Sequence, residues 1–227
     1  AAVILQAMIE LEPHRPPRTF TLHCLAPVLA KRGEVRVTCE RRGAKVSHLS
    51  ARLLQEGGKT VALASASFGE ARTYQSIRPS LAAPKAPRPN QVEEVPKDLP
   101  MMPSFCQYFS YRFCLDGIPY TQSEEAAMGG WCDLRKDFTL SYPYLATVLD
   151  AWPPAICPTL QGPMRAATVD LTYHFFCSPT TIHTLTPPFL YRGEIFSLYD
   201  GYAEERDCLW DANGVPIASA RQLYAIS

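Results

Sequence analysis

GGKTVALASASF, residues 57–68, lies over NGVPIASARQ, residues 213–222, so that Val61, Ala64, Ser65 and Ala66 meet Val215, Ala218, Ser219 and Ala220. Internal self-similarity of this kind points to two copies of one unit. The surrounding pattern agrees. Residues 1–12 are apolar on every side through Val3, Ile4, Leu5, Met8, Ile9 and Leu11, which predicts a buried helix, and Pro13, Pro16 and Pro17 stop it. Beyond them the period becomes two: Phe20, Leu22 and Cys24 alternate with polar residues, and the alternation returns over 34–42, 45–55 and 60–68, with Gly57-Gly58 as a turn. The second half repeats the order. A stretch over 105–115 dominated by aromatic residues, a turn at Asp116-Gly117 and a strand over 128–135 precede a helix, and strands over 165–176, 189–202, 208–210 and 217–226 follow it.

That second helix lies in YPYLATVLDAWPP, residues 142–154. Leu145, Val148, Leu149 and Trp152 recur at helical spacing, and Pro153-Pro154 forbids continuation, so the helix is predicted to stop at about Trp152. Asp150 falls off this apolar stripe, in the last turn, where the negative end of the helix dipole disfavours a carboxylate. A purpose other than helix stability is indicated.

Between 69 and 103 the periodicity is lost among seven prolines and many polar residues, the composition of an extended linker that packs little of its own surface. The chain therefore divides into 1–69, a linker over 70–103, and 104–227. Lys plus Arg and Asp plus Glu balance at 22 each, which removes a global electrostatic case for nucleic acid. No apolar run approaches the ~20 residues that span a bilayer. Eight scattered cysteines, with no CxxC, read as free thiols of a cytoplasmic protein. The first residues read as a helix already under way with no capping residue ahead of it, so the natural chain is expected to begin upstream.

A buried helix wrapped by antiparallel strands, made twice in one chain, resembles the double hotdog fold of the acyl-CoA thioesterase II family. The stretches GGWCDLRKDFTLSYPYLATVLDAWPPAI and LWDANGVPIASARQLYAI carry the resemblance. It implies an α+β fold of two antiparallel sheets, each wrapped around a long helix, and a homo-oligomer associating through its sheets. It also implies an acyl-CoA substrate and a hydrolytic site made of an Asp on the second helix, a Thr at the start of the next strand and a Gln in the last strand. The matching residues are Asp150, Thr168 and Gln222.

These residue types suit the reaction. A thioester needs an aligned water, an acceptor for its proton and donors for the developing oxyanion. Asp150 would take the proton, and the Thr168 hydroxyl and Gln222 amide would complete the water's hydrogen bonds. Backbone N–H groups near the start of a helix would hold the oxyanion. No cofactor or metal is called for. By simple alternation Thr168, Asp170, Thr172 and His174 share one strand face, and Gln222 shares its face with Ala220 and Tyr224. His174 is the other conceivable base. The alternatives are a non-catalytic acyl-CoA-binding protein and an enoyl-CoA hydratase, whose Asp and His pair has no counterpart after either helix.

Overall fold

The computed structural model describes residues 1–72, 82–97 and 102–227. Helix α1 (Ala2–Leu11) leads into strands β1 (Pro17–Cys24), β2 (Glu34–Arg42), β3 (Val46–Gln55) and β4 (Lys59–Gly69). Strands β5 (Phe109–Asp116) and β6 (Ala127–Leu134) then precede α2 (Tyr142–Leu149) and β7 (Ala166–Phe175), β8 (Phe189–Tyr199), β9 (Tyr202–Trp210) and β10 (Pro216–Ile226). All ten strands form one sheet in the order β2-β3-β4-β1-β7-β10-β9-β8-β6-β5, and every pairing is antiparallel.

The expected pair of separate sheets is therefore a single one. Strand β1 pairs with β7, Thr19 opposite His174 through to His23 opposite Asp170. Each of these strands would otherwise end its half with a row of unpaired N–H and C=O groups, and joining them satisfies both rows. The second helix, expected to be long, is short at 8 residues, with Pro153-Pro154 close behind it. Helix α2 is capped at its start by the Ser141 side chain, which accepts from the Tyr144 N–H, and it ends at Leu149 with Asp150 as its C-cap, not at Trp152.

Both helices press on the same face of the sheet and on each other. Leu5, Met8, Leu145, Val148, Phe20, Phe68 and Phe189 are sealed between them. Each such side chain contributes roughly 1.5–3 kcal/mol by leaving water. The repeated alanines explain the close approach: Ala64 and Ala66 of β4, and Ala218 and Ala220 of β10, are buried inner-face positions where a larger side chain would push a helix outward.

Two further expectations change. Residues 189–202 are not one strand. Asp200 and Gly201 take left-handed conformations, φ 50° and 76°, and make the tight hairpin that separates β8 from β9. The proline-rich segment also packs more than its composition suggests. Part of the expected 70–103 linker lies outside the described residues, but 82–97 is bonded to the second half. The Trp131 indole donates to the Pro87 carbonyl (2.8 Å), the Val95 N–H to the Tyr111 carbonyl (2.8 Å), and Arg112 to Glu94 (3.0 Å). Ala83 and Ala86 pack on a second apolar cluster of Leu115, Trp131, Leu190, Cys208 and Trp210. No helix among the described residues is long and apolar enough to cross a membrane.

Candidate active site

A cavity of about 640 Å³ opens where the start of α1 meets the end of α2. Ala1, Ala2 and Val3 come from the first half; Thr147, Asp150, Trp152, Thr168 and Gln222 come from the second. Thr147 and Asp150 lie one turn apart and so share a face of α2. The remaining lining is mostly apolar, Met102, Phe105, Phe109 and Met164 among it, and no Lys, Arg or His is included among the described residues. The volume and the lining suit a small organic ligand with an apolar portion.

The structure brings Asp150, Thr168 and Gln222 to this one cavity. Thr168 reaches it by a route that alternation does not anticipate. Leu223 of β10 is opposite Asp170 but the next residue, Tyr224, is opposite Thr168, so Val169 is an extra residue in β7. This β-bulge shifts the parity of the strand. Asp170, Thr172 and His174 stay on the outer face, where the Thr172 hydroxyl bonds to Thr21 (3.0 Å). Thr168 is turned to the inner face, and Gln222 Nε2 donates to its Oγ1 at 2.6 Å. The expectation that Thr168 shares a face with His174 is thus corrected. His174 is exposed and lies far round from the cavity, on the other side of the sheet.

Asp150 is open to water through the cavity mouth while protein surrounds it on its other sides. Burial pushes its carboxyl up to about 6, against the opposing pull of the Tyr173 hydroxyl. Behind it lies a layer that sequence reading missed. Glu205 and Asp207 of β9 are both buried, and the Tyr191 hydroxyl meets Glu205 Oε1 at 3.1 Å and Asp207 Oδ1 at 2.6 Å. Burial raises both carboxyls, Asp207 well above its ordinary value with the charge of Glu205 beside it. Two buried acids with no cation between them do not both ionise, so the pair retains a proton.

The pair also fixes the segment that leaves α2. Glu205 Oε2 accepts the Ala155 N–H at 2.7 Å, and the Tyr111 hydroxyl donates to the Ala151 carbonyl at 2.5 Å. Trp152 is held between these anchors, stacked on Tyr191 with centroids 4.6 Å apart and edge-on to Tyr111. The backbone that carries Asp150 is therefore clamped from behind by β5 and β9. Gly193, opposite Asp207 on β8, leaves the room this requires: a Cβ there would meet the Tyr191 hydroxyl and, at 2.6 Å, Asp207 Oδ1. The signal for the acid pair was present as Asp200-Gly201. A hairpin there sets the parity of β9, and Ala203, Glu205, Asp207 and Leu209 then share its inner face.

Among the described residues no cluster of His, Cys, Asp and Glu is arranged to hold a metal ion. None of the eight cysteines is paired.

Comparison with known proteins gives a consistent answer. The family model of the acyl-CoA thioesterase N-terminal domain matches residues 1–69, and that of the acyl-CoA thioesterase C-terminal domain matches residues 82–226. Among solved structures, a conserved protein of unknown function with a hot dog fold from Alicyclobacillus acidocaldarius superposes with a TM-score of 0.92 at 24% identity, covering 100% of this chain and 85% of that one. A protein provisionally described as thioesterase II from Thermobifida fusca gives 0.84 at 21% identity, with 100% and 84% covered. Acyl-CoA thioesterase II TesB2 from Mycobacterium marinum gives 0.78 at 14% identity, with 100% and 86% covered. No curated protein matches.

Proposed function

The chain belongs to the acyl-CoA thioesterase family, and from that premise we propose that it hydrolyses acyl-CoA thioesters to the free acid and CoA, with Asp150 as the base. One observation carries the reading: a carboxyl with a raised pKa and no cationic side chain beside it lines an apolar cavity together with a bonded Thr and Gln. A carboxyl titrating near 6 is ionised at neutral pH yet basic enough to take a proton from water as it attacks.

The division of labour comes from the hydrogen bonds. Gln222 spends one N–H on Thr168 Oγ1, which leaves the Thr168 hydroxyl proton and the Gln222 carbonyl oxygen to orient a water between them and Asp150. Water oxygen bonds to the thioester carbon as its proton passes to Asp150. The C–S bond then breaks, and the proton returns to the departing thiolate. Backbone N–H groups would serve as the donors for the oxyanion. The apolar lining takes the acyl chain.

The enoyl-CoA hydratase alternative needs a His beside the acid, and no His lines the cavity among the described residues. A non-catalytic acyl-CoA-binding protein remains the second reading, favoured by the same apolar lining. Release of CoA from short-, medium- and long-chain acyl-CoAs, with wild type beside Asp150→Asn, separates the two. Turnover that collapses in the variant while acyl-CoA binding persists supports hydrolysis; binding without CoA release by the wild type supports the second reading. A cytoplasmic homo-oligomer belongs to the same proposal. The exposed Phe196, Leu198, Tyr199 and Tyr202 around the β8–β9 hairpin are apolar surface available to a second copy, and light scattering tests it.

A further inference from the structure

Tyr173 is fully buried, and its hydroxyl has no hydrogen-bond partner among the described residues. Buried polar groups are paired almost without exception, so an orphan calls for an explanation. Packing does not supply one. The ring is fixed by stacking on Phe175, with centroids 6.2 Å apart and planes 3° from parallel, and by Phe20 at 5.8 Å. A phenylalanine would make the same contacts. Phe20 proves the point: it lies directly opposite Tyr173 across the β1–β7 join, and each faces the matching alanine of the repeat, Phe20 opposite Ala66 and Tyr173 opposite Ala220. The hydroxyl is what distinguishes them.

The hydroxyl lies among acidic neighbours, with Asp150 and Asp207 both close. Tyr173 is on the inner face of β7, next along that face from Leu171, which is opposite Gln222. Its phenol faces the Asp150 carboxyl without closing a well-formed hydrogen bond. Asp207 also lies near the phenol, but only for Asp150 is the Tyr173 hydroxyl a hydrogen-bonding group that favours the ionised form. Catalytic hydrogen bonds are often loose before substrate binds and tighten afterwards.

We propose that Tyr173 is a positioning residue for Asp150, its phenol donating to the carboxylate oxygen that does not engage the attacking water, in a bond that closes when the cavity is filled. This rests on the hydrolytic reading above. The groups facing Asp150 from the packed elements are Cys24 of β1, Tyr173 of β7, Glu205 and Asp207 of β9, and Tyr224 of β10. Of these, Tyr173 is the uncharged donor that favours the ionised form of Asp150, so its loss raises the Asp150 titration midpoint.

Tyr173→Phe tests this with the ring packing preserved. Two quantities are measured: kcat and KM on acyl-CoA, and the titration of the Asp150 carboxyl by ¹³C NMR with a non-hydrolysable acyl-CoA thioether filling the cavity, its signal assigned by its absence in Asp150→Asn. The expected result is a kcat lowered about tenfold to a hundredfold with KM within about twofold, and an Asp150 midpoint moved to higher pH. An unmoved midpoint overturns the proposal, whether or not kcat falls, because the loss then comes from packing. A raised midpoint with unchanged kcat overturns it as well. If the wild type releases no CoA from any acyl-CoA while the midpoint still rises, the hydrolytic reading fails and the Tyr173–Asp150 pairing stands.

Discussion

Ala66 of β4 faces Phe20 and Leu49, whereas its counterpart Ala220 of β10 faces Tyr173 and Asp207. One step along, Phe68 lies opposite Ser47, and Gln222 lies opposite Glu205. Both helices end on an acidic C-cap, Glu12 after α1 and Asp150 after α2. In the first half that acid is answered: Arg42 binds buried Glu12 at 3.0 Å, and Arg15 bonds to Ser47 at 2.6 Å. In the second half no cationic side chain among the described residues reaches Asp150. Two copies of one backbone thus hold one neutralised acid and one whose charge is left to the cavity. The strand order decides where a site can be, and a handful of inner-face residues decides which copy becomes one.

The sharpest way to break this contrast is to remove the unanswered charge. Asp150→Asn is expected to lower kcat by about 10³-fold, roughly 4 kcal/mol of transition-state stabilisation, in a CoA-release assay. A loss below about tenfold would make the two halves catalytically alike. Next comes Gln222→Met, which gives β10 an apolar residue where β4 has Phe68. It should reduce kcat/KM by about 10²-fold while far-UV circular dichroism stays unchanged.

The buried acid layer is tested by stability. Gly193→Ala drives a methyl group into the Tyr191–Asp207 contact and is expected to cost about 2 kcal/mol, lowering the thermal midpoint by about 6 °C. In the first half, Arg42→Gln leaves Glu12 buried without its partner. Arg42 itself is half exposed, so the loss should be about 1 kcal/mol in denaturant unfolding, with turnover unaffected.

The smallest effects are those of pH. Asp150 must be ionised to act as a base, so kcat/KM should rise with pH through about 6 and then level off. Stability moves the other way. A carboxyl whose folded pKa is raised contributes fully below about pH 4 and loses that contribution as pH rises through about 6. With its access to water discounted, the wild type should lose about 1 kcal/mol relative to Asp150→Asn over this window.

Much of this was legible in the chain. The alternation of Val35 and Val37 marks β2 at its observed bounds, Pro13 marks the end of α1, and the repeated alanines mark the two strands beneath the helices, whereas Pro153-Pro154 put the end of α2 at Trp152 and it lies at Leu149. The candidate trio was readable as residues but not as geometry. Nothing near Val169 announces a bulge, because the extra residue is set by pairing with β10 and not by local propensity, and without it Thr168 points away from Gln222. The Glu205–Asp207 pair was hidden for a related reason. Acids read as solvated until the parity of their strand is known, and that parity hangs on the turn at Asp200-Gly201.

The β1–β7 join has a consequence for dilution. The cavity takes one wall from α1 and the others from α2, β7 and β10, elements that the join brings side by side and that one polypeptide links covalently. Were the halves separate polypeptides, the cavity would come apart as the protein concentration fell below their dissociation constant. Linked as they are, each half meets the other at an effective concentration set by the tether. Specific activity per chain should therefore be the same at nanomolar and micromolar enzyme, whatever larger assembly the chain enters. Linkage also frees each copy to change alone, since two identical subunits would carry every substitution twice.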